Sequence, residues 1–307
     1  MRTCCVTSKS FSKNVFLKND LKKIKNLSFK FNTKKLNRSE LIQFLKNSSY
    51  AIIGLDKIDK SILSKCPKLK HIIKYGVGLD NLNFKDCRKY GVKIHYSKGV
   101  NKIGVAELAL GMMIALSRKI NESHSKIINS KWENLVGQNI TGRQIGIIGF
   151  GNVGRHLYKL LKPFNCKIYV NDIKKPHKSK GYIISSKNKI YKNCDIISLH
   201  IPHNETTNNL ISKRELKKIK KNTIIINTSR GGIINQEDLF QALKKNKIGG
   251  AGLDVFLKEP FDDKKFFKLK NTLFTSHIGG STEDSIRLMG QAAIKHLKAI
   301  TKIDNKI

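Results

Sequence analysis

Short aliphatic runs alternate with amphipathic stretches along most of the chain, a pattern typical of parallel β-sheets covered by helices. In the first third, apolar runs predict strands at 50–54, 71–75 and 92–96. A second series predicts strands at 144–149, 167–171, 195–200, 223–228, 250–255 and 272–276. Within that series, residues 237–245 predict a helix with Asn235 as its N-cap. The alternation therefore predicts an α/β protein with two parallel-sheet domains.

The stretch between the two series is apolar on nearly every side. From Ile103 to about Ser130 it predicts one long helix, which should be buried between domains or between subunits. Its most apolar part, Ile103 to Leu116, is interrupted by Glu107 and is too short to span a bilayer. We therefore expect no membrane-spanning segment.

Positive charge dominates the composition. The 307 residues, enough for two domains, carry a formal net charge of +38, and only nine of the 60 basic residues are arginine. Such a charge could serve a nucleic-acid or acidic-membrane surface. The lysines are scattered, however, and no nucleic-acid-binding motif accompanies them. We therefore interpret them as a solvated coat on an ordinary enzyme, and nucleic acid is not the expected partner.

The six cysteines show neither CxxC pairing nor a metal-ligand spacing with histidine. This usage is typical of small apolar residues in a reducing compartment, so we expect free thiols and no metal site. The first residues lack the apolar core of a signal peptide. These features predict a cytoplasmic protein.

A glycine-rich turn follows the first strand of the second series. Gly149, Gly151 and Gly154 form a GxGxxG string that leads into a helical stretch, and a second strand ends at Asp172, 23 residues after the first glycine. In this context the string predicts a dinucleotide site, with the diphosphate at the helix N-terminus. Asp172 can accept hydrogen bonds from the adenosine ribose and would repel a 2′-phosphate. This favours NAD over NADP, although Lys174 and Lys175 follow closely.

Polar side chains follow the remaining strands of the second series. Because the carboxyl ends of parallel strands meet at one edge of a sheet, we expect Arg230, Glu259 and His277 to converge there. Histidine can take the hydroxyl proton of a 2-hydroxy acid, and a neighbouring carboxylate would raise its pKa. Arginine offers a fixed fork for the substrate carboxylate. The set predicts hydride transfer between a hydroxy acid and a nicotinamide.

Two longer stretches carry a family resemblance, which runs from about Ala51 to the end of the chain. Residues 227–235, Asn-Thr-Ser-Arg-Gly-Gly-Ile-Ile-Asn, resemble the arginine signature of the D-isomer-specific 2-hydroxyacid dehydrogenases. Residues 249–256, Gly-Gly-Ala-Gly-Leu-Asp-Val-Phe, followed by Glu259-Pro260, resemble their glutamate signature. The chain is thereby identified as a member of that family, which uses NAD.

The resemblance implies a role for each matching position. Arg230 would bind substrate, Glu259 would partner the histidine, and His277 would be the acid/base. Asp254 would hold the nicotinamide carboxamide, and the other implied cofactor contacts are Asn152, Val153, Ile201, Thr228 and Gly279. Residues 74–81 resemble the family's substrate loop, in which Lys74, Gly76, Val77 and Gly78 would bind the substrate carboxylate.

Residues 277–282, His-Ile-Gly-Gly-Ser-Thr, are similar to the phosphoglycerate dehydrogenase version of the family. Oxidation of 3-phosphoglycerate to 3-phosphohydroxypyruvate, a step of serine biosynthesis, is therefore the first expected reaction. Another activity of the family, such as glyoxylate/hydroxypyruvate reductase, is the alternative. A corepressor-like or nucleic-acid-binding protein on the same fold is a more distant one. The chain ends 27 residues after Gly280, so we expect a short form without a C-terminal regulatory domain.

The resemblance also implies the domain organisation. We expect two Rossmann-like, doubly wound domains, with an NAD-binding domain of residues 99–284 inserted into a substrate domain of residues 1–98 and 285–307. A homodimer built on the cofactor domain is implied, with the helix around Ile103–Leu116 at or near the interface.

Overall fold

The computed structural model describes residues 2–304, which divide into two compact units. The first unit contains the residues up to Asn101 and those from Thr282 onward, and the second runs from Lys102 to Ser281. The domain ranges expected from the sequence place these divisions after residues 98 and 284. Met1 and residues 305–307, which those ranges include, lie outside the described residues.

The first unit is built on a five-stranded parallel sheet. Its elements up to Asn101 are β1 (Arg2–Val6), α1 (Lys9–Lys13), α2 (Val15–Lys22), β2 (Leu27–Phe31), α3 (Arg38–Leu45), β3 (Tyr50–Ile53), α4 (Lys60–Leu63), β4 (His71–Lys74), α5 (Phe84–Lys89) and β5 (Lys93–His95). The strand order is β2-β1-β3-β4-β5, and all described pairs are parallel. The chain winds in both directions from β1, so both faces of the sheet are covered.

The second unit is built on a seven-stranded parallel sheet. Its elements are α6 (Lys102–Ser117), α7 (Ile120–Ile128), β6 (Gln144–Ile148), α8 (Asn152–Leu161), β7 (Lys167–Asn171), β8 (Ile183–Ile184), α9 (Lys187–Asn193), β9 (Ile196–Leu199), α10 (Lys213–Leu216), β10 (Ile224–Asn227), α11 (Gln236–Lys244), β11 (Gly250–Leu253), α12 (Lys264–Phe267) and β12 (Thr272–Phe274). Two 3₁₀ turns lie at Lys162–Phe164 and Gly231–Ile233. The strand order is β12-β11-β10-β9-β6-β7-β8. The winding direction therefore reverses between β6 and β9.

A final helix, α13 (Glu283–Asp304), belongs to the first unit. Ala293 and Leu297 on this helix are fully buried in the same hydrophobic cluster as Val6 and Ile52 of the sheet. At its carboxyl end, the Tyr50 hydroxyl donates a 2.5 Å hydrogen bond to the Asp304 carboxylate. The first unit therefore has a core assembled from both ends of the chain.

The strand and helix predictions agree with the structure except near the amino terminus and in the long apolar helix. All nine predicted strands are present, shortened by one or two residues in most cases, and Asn235 caps α11 by accepting from the Asp238 N–H. The first 45 residues also form two strands and three helices, which the lysine-rich sequence did not reveal.

The single long helix predicted from Ile103 to about Ser130 is wrong. The chain forms two helices, α6 and α7, because Lys119 adopts a left-handed backbone conformation with φ of 53°. The buried residues of α6, among them Ala109 and Met112, pack on Ile145 and Ile226 of the sheet in their own unit. Packing within the unit thus accounts for the apolar sequence of α6.

Nearly all lysines lie outside the buried interior. Among the described residues, Lys74 is the one lysine in the buried class. This agrees with the interpretation of the lysines as a solvated coat. Within residues 2–304, no helix combines the length and hydropathy needed to cross a membrane.

Candidate active site and cofactor site

The glycine turn lies at the point where the second sheet reverses direction. Gly149 follows β6 with φ of 96°, and a Cβ there would lie 2.2 Å from the carbonyl oxygen of His200, which follows β9. A Cβ at Gly154 would lie 2.1 Å from the Gly149 carbonyl oxygen. Packing alone therefore demands glycine at these two positions.

Gly151 differs from the other two glycines. A Cβ built there meets no atom within 4 Å, so packing within the chain does not explain its presence. Gly151 is the N-cap of α8 and provides no side-chain cap, and the exposed Asn152 and half-buried Val153 begin the helix. The N–H groups of that first turn are available to an anion. The open side of this turn can accept a diphosphate.

Asp172 follows β7 beside this turn. Its Oδ2 accepts the Phe150 N–H at 2.6 Å and its Oδ1 accepts the Lys174 N–H at 2.9 Å. The carboxylate therefore ties the glycine turn to the loop after β7. Each oxygen keeps a further lone pair, which a ribose hydroxyl could use.

Three more candidate groups follow β9 and β10, the two strands next to β6 on this side of the sheet. The half-buried Ile201 borders Gly149, since a Cβ on that glycine would lie 2.8 Å from its Cγ2. His200 is hydrogen-bonded to Ser198 at 2.8 Å, and burial lowers its pKa to about 4, so it is neutral near pH 7. The Thr228 hydroxyl oxygen is buried and has no hydrogen-bond partner. A buried hydroxyl without a partner is costly, and a bound ligand would satisfy it.

Asp254, at the end of β11, organises the loop after β12. Its carboxylate is 1% exposed and accepts the Thr275 hydroxyl at 2.6 Å, the Ile278 N–H at 2.7 Å and the Gly279 N–H at 2.9 Å. A Cβ at Gly279 would lie only 3.0 Å from that carboxylate. Its implied contact with the nicotinamide carboxamide stays a prediction, and so does that of Gly279.

The hydrogen bonds to Asp254 come from residues on both sides of His277, whose backbone is strained. His277 has φ of 57°, a left-handed conformation that costs a non-glycine residue about 1–2 kcal/mol. Strain of this kind persists when the surrounding structure enforces it, and it is concentrated at functional sites. Here the Asp254 carboxylate holds the two residues that follow and so fixes where the imidazole points.

The imidazole of His277 meets the carboxylate of Glu259. His277 Nδ1 and Glu259 Oε2 are 2.8 Å apart, and Glu259 Oε1 accepts the Phe256 N–H at 3.1 Å. The hydrogen bond to Glu259 raises the pKa of His277 above its ordinary value, although burial and the nearby Arg230 oppose the rise. Burial tends to raise the pKa of Glu259, but the bonds from His277 and Phe256 outweigh it and lower that pKa. The hydrogen bond therefore favours a protonated imidazole beside an ionised carboxylate.

Arg230 lies within electrostatic reach of this pair, because its charge lowers the pKa of both partners. Its own loop is fixed by Asn227, whose amide donates to the Arg230 carbonyl at 2.9 Å and whose Oδ1 accepts the Ser229 N–H at 3.1 Å. The structure thus brings together the cationic, acidic and imidazole groups that the sequence placed after separate strands.

The first unit holds the other predicted set. Tyr75 and Gly76 follow β4, and Gly76 has φ of 116°. Within residues 2–304, the N–H groups of Gly76, Val77 and Gly78 donate to no backbone carbonyl, and successive N–H groups of this kind can bind an anion. Lys74 is 4% exposed, and its ammonium donates to the Gly54 carbonyl and to Asn81. These bonds hold the loop, and the direct substrate contact of Lys74 stays a prediction.

Three groups that orient the site were not identified from the sequence. They are the Asn227 side chain, the Thr275 hydroxyl and the Phe256 N–H. Each acts on a neighbouring catalytic candidate through a short-range bond. Asn227 lies within the arginine signature, so its position there was the one available signal.

Comparison with known proteins decides the family. The model described as D-isomer specific 2-hydroxyacid dehydrogenase, NAD binding domain, matches residues 110–279. The chain belongs to this family. The second unit is accordingly an NAD-binding domain, and the family consists of NAD-dependent oxidoreductases acting on CH–OH donors.

Relatives with different named activities resemble most of the chain. The glyoxylate reductase of Thermococcus litoralis is 36% identical over 259 residues, covering 80% of this chain and 78% of that protein. The hydroxypyruvate reductase of Thermotoga maritima is 34% identical over 261 residues, covering 83% and 85%. The D-3-phosphoglycerate dehydrogenase of Methanocaldococcus jannaschii is 31% identical over 274 residues, covering 87% of this chain and 52% of that protein.

A solved structure shares the fold. The D-lactate dehydrogenase from Aquifex aeolicus, complexed with NAD and lactic acid, superposes with a TM-score of 0.87 at 25% identity. It covers 99% of this chain and 97% of that protein. The Rossmann-like fold expected from the sequence is confirmed. The residues around the turn also fit a dinucleotide, because Gly151 leaves open space and the Thr228 hydroxyl lacks a partner.

The three glycines should respond differently to alanine. We expect Gly151→Ala to fold normally but to bind NADH roughly 10-fold more weakly, a loss of about 1.4 kcal/mol, because the new methyl group occupies the side that the diphosphate approaches. Gly154→Ala is the contrasting variant and should lose roughly 1–3 kcal/mol of unfolding free energy through overpacking. Fluorescence titration with NADH and urea unfolding measure the two effects. Unchanged NADH affinity in Gly151→Ala would contradict this placement of the diphosphate.

Proposed function

We propose that His277 is the acid/base of a reaction that interconverts a D-2-hydroxy acid and its 2-keto acid. The 2.8 Å hydrogen bond between His277 Nδ1 and Glu259 carries this proposal. With Nδ1 engaged, Nε2 is the ring nitrogen that exchanges a proton with the substrate oxygen at C2. The hydrogen bond to Glu259 raises the pKa of His277 and so favours the protonated ring that reduction of the keto acid requires.

The remaining roles follow from charge. The guanidinium of Arg230 matches the planar carboxylate of the substrate and polarises the C2 oxygen. Asp172, Thr228, Ile201 and the first turn of α8 would hold NAD, which when bound supplies the hydride acceptor or donor. In oxidation, the C2 hydrogen leaves as hydride and the hydroxyl proton passes to His277, so the 2-keto acid forms.

We propose a short unphosphorylated 2-keto acid, glyoxylate or hydroxypyruvate, as the first candidate substrate. Support comes from the two reductases, which are 36% and 34% identical to this chain. The loop of residues 74–81 also supports it, because three N–H groups suit a carboxylate while its one cation, Lys74, is engaged by Gly54 and Asn81. 3-Phosphoglycerate oxidation, in serine biosynthesis, is the second candidate. It is supported by the likeness of residues 277–282 and by the relative at 31% identity.

Hydroxypyruvate and 3-phosphohydroxypyruvate form a matched pair of substrates that differ only in the phosphate. We expect the chain with NADH to reduce glyoxylate and hydroxypyruvate with a kcat/KM at least roughly 10-fold above that of the phosphorylated acid, a difference of about 1.4 kcal/mol in transition-state binding. Oxidation of NADH at 340 nm measures all three rates. The opposite preference would instead establish the phosphorylated substrate.

The catalytic pair should be visible in the pH dependence. His277→Ala should lower turnover by roughly 10²–10⁴-fold while NADH binding stays near the wild-type value. Reduction requires the protonated ring, so the rate falls as pH rises through the pKa of His277. Because Glu259 raises that pKa, Glu259→Gln should move this fall to lower pH. Normal turnover in His277→Ala would contradict the acid/base role proposed for His277.

We also propose a homodimer formed through the cofactor unit, at an interface different from the one implied by the sequence. The helix α7 has no buried residue and exposes Ile120, Ile127 and Ile128. The irregular segment after it exposes Trp132 by 92% and Val136 by 82%. We call these five side chains the α7 patch. Exposed aromatic and aliphatic side chains of this kind are typical of protein interfaces. We propose that a second copy of this chain covers the α7 patch.

Trp132 is the one tryptophan in the chain, so its fluorescence reports on the α7 patch. We expect its emission to shift to shorter wavelength as concentration rises, and Trp132→Ser to give a monomer in sedimentation velocity. Phe16→Ser is the matched control, since Phe16 is 79% exposed in the other unit. Salt should strengthen the dimer, because each copy carries a charge of +38. A dimer that survives Trp132→Ser unchanged would exclude this surface.

We further propose a cytoplasmic location. All six cysteines are free, and five of them are buried. Free thiols of this kind are typical of a reducing compartment.

A further inference from the structure

Five phenylalanines surround the loop that carries Glu259. They lie after β11, in the loop itself, on α12 and at the end of β12, and are Phe256, Phe261, Phe266, Phe267 and Phe274. We call this group the phenylalanine cluster. Phe261 contacts the other four, at ring-centroid distances of 3.9 to 5.8 Å. Phe274 also contacts the other four, at 5.8 to 6.2 Å, so Phe261 makes the shorter set of contacts.

Phe261 follows Glu259 by two residues and stacks on Phe256, with centroids 3.9 Å apart and planes 9° apart. The stack closes the loop on itself around Glu259. The N–H group of Phe256 then donates to Glu259 Oε1 at 3.1 Å. One oxygen of the carboxylate is thus held by the loop, while the other meets His277.

The same ring reaches the strand that carries His277. Phe261 contacts Phe274 edge-on at 5.8 Å, and Phe274 ends β12 three residues before His277. Phe256 also lies against the arginine loop, because a Cβ at Gly231 would be 2.0 Å from the Phe256 carbonyl carbon. The ring of Phe261 therefore links the segment of Glu259 to that of His277, and its stacking partner Phe256 adjoins the arginine loop.

We propose that Phe261 is a positioning residue that sets the distance between the Glu259 carboxylate and the His277 imidazole. The inference rests on the proposed roles of those two residues. Aromatic stacking fixes ring geometry more tightly than aliphatic packing does, because offset and edge-on contacts have preferred distances and angles. A loop held in this way keeps the Glu259 carboxylate at hydrogen-bonding distance from the His277 imidazole.

The pH profile of reduction tests this proposal. Phe261→Leu keeps most of the apolar volume but removes the stack, so the Glu259–His277 bond should loosen. The fall in rate at high pH should then move to lower pH, toward the position seen in Glu259→Gln. We also expect kcat to drop by about 10- to 100-fold, since small misplacements of catalytic groups have effects of this size. KM should change little. Arg230, Glu259 and Asp254 are the charged groups whose influence on His277 the profile reflects.

Phe240→Leu is the matched control. Phe240, on α11, contacts Phe266 with ring centroids 5.2 Å apart and planes tilted by 52°, and it is 8% exposed. The variant Phe240→Leu therefore loses a buried aromatic contact outside the loop that carries Glu259. We expect its pH profile to coincide with that of the wild type. Phe261→Tyr, which retains the ring, should restore the wild-type profile.

A double variant separates this inference from the proposed function. If Phe261 acts through Glu259, adding Phe261→Leu to Glu259→Gln should cause no further shift of the profile. The inference is overturned if Phe261→Leu leaves the profile in place, if Phe240→Leu shifts it equally, or if the two shifts in the double variant simply add. Full turnover in His277→Ala would instead refute the acid/base role itself.

Discussion

The site depends on one buried carboxylate. Asp254 accepts three hydrogen bonds from the loop after β12 and so holds His277 in a backbone conformation that it would not adopt unaided. A buried charge is stable only when its oxygens are satisfied, and here the satisfying donors are the very atoms that need to be positioned. The same three hydrogen bonds thus offset both the free-energy cost of burying Asp254 and that of the strained backbone at His277. The imidazole of His277 then contacts Glu259 because the two residues follow β12 and β11, which are neighbouring strands.

The second unit could be predicted largely from its sequence, because its strands are short runs of buried aliphatic residues and its turns carry unambiguous glycines. The three catalytic candidates followed from the same logic, since side chains after parallel strands share one edge of the sheet. The structure adds what periodicity cannot show: the reason for each glycine. Packing requires Gly149 and Gly154, whereas Gly151 faces open space, and nothing in the letters of the motif distinguishes them.

Other features lay beyond the sequence for identifiable reasons. The strand from Arg2 to Val6 has the sequence Arg-Thr-Cys-Cys-Val, with one aliphatic residue and no alternation, although Cys4, Cys5 and Val6 are fully buried. The break between α6 and α7 occurs at Lys119 in a left-handed conformation, which the residue type does not predict. The bonds made by Asn227 and Thr275 depend on which loops come together in space.

The return of α13 to the first unit has a consequence for how the polypeptide matures. During synthesis, the 180 residues of the second unit (Lys102–Ser281) emerge before the helix that completes the core of the first. When the amino-terminal sheet leaves the ribosome, α1 and α2 therefore cover only part of the face around Val6 and Ile52, and the rest stays open until Leu297 and its neighbours are made. The second unit, although synthesised later, can complete its folding before the first unit does. A nascent chain of this design exposes apolar surface for most of its translation, and a lysine-rich exterior helps to keep such an intermediate in solution.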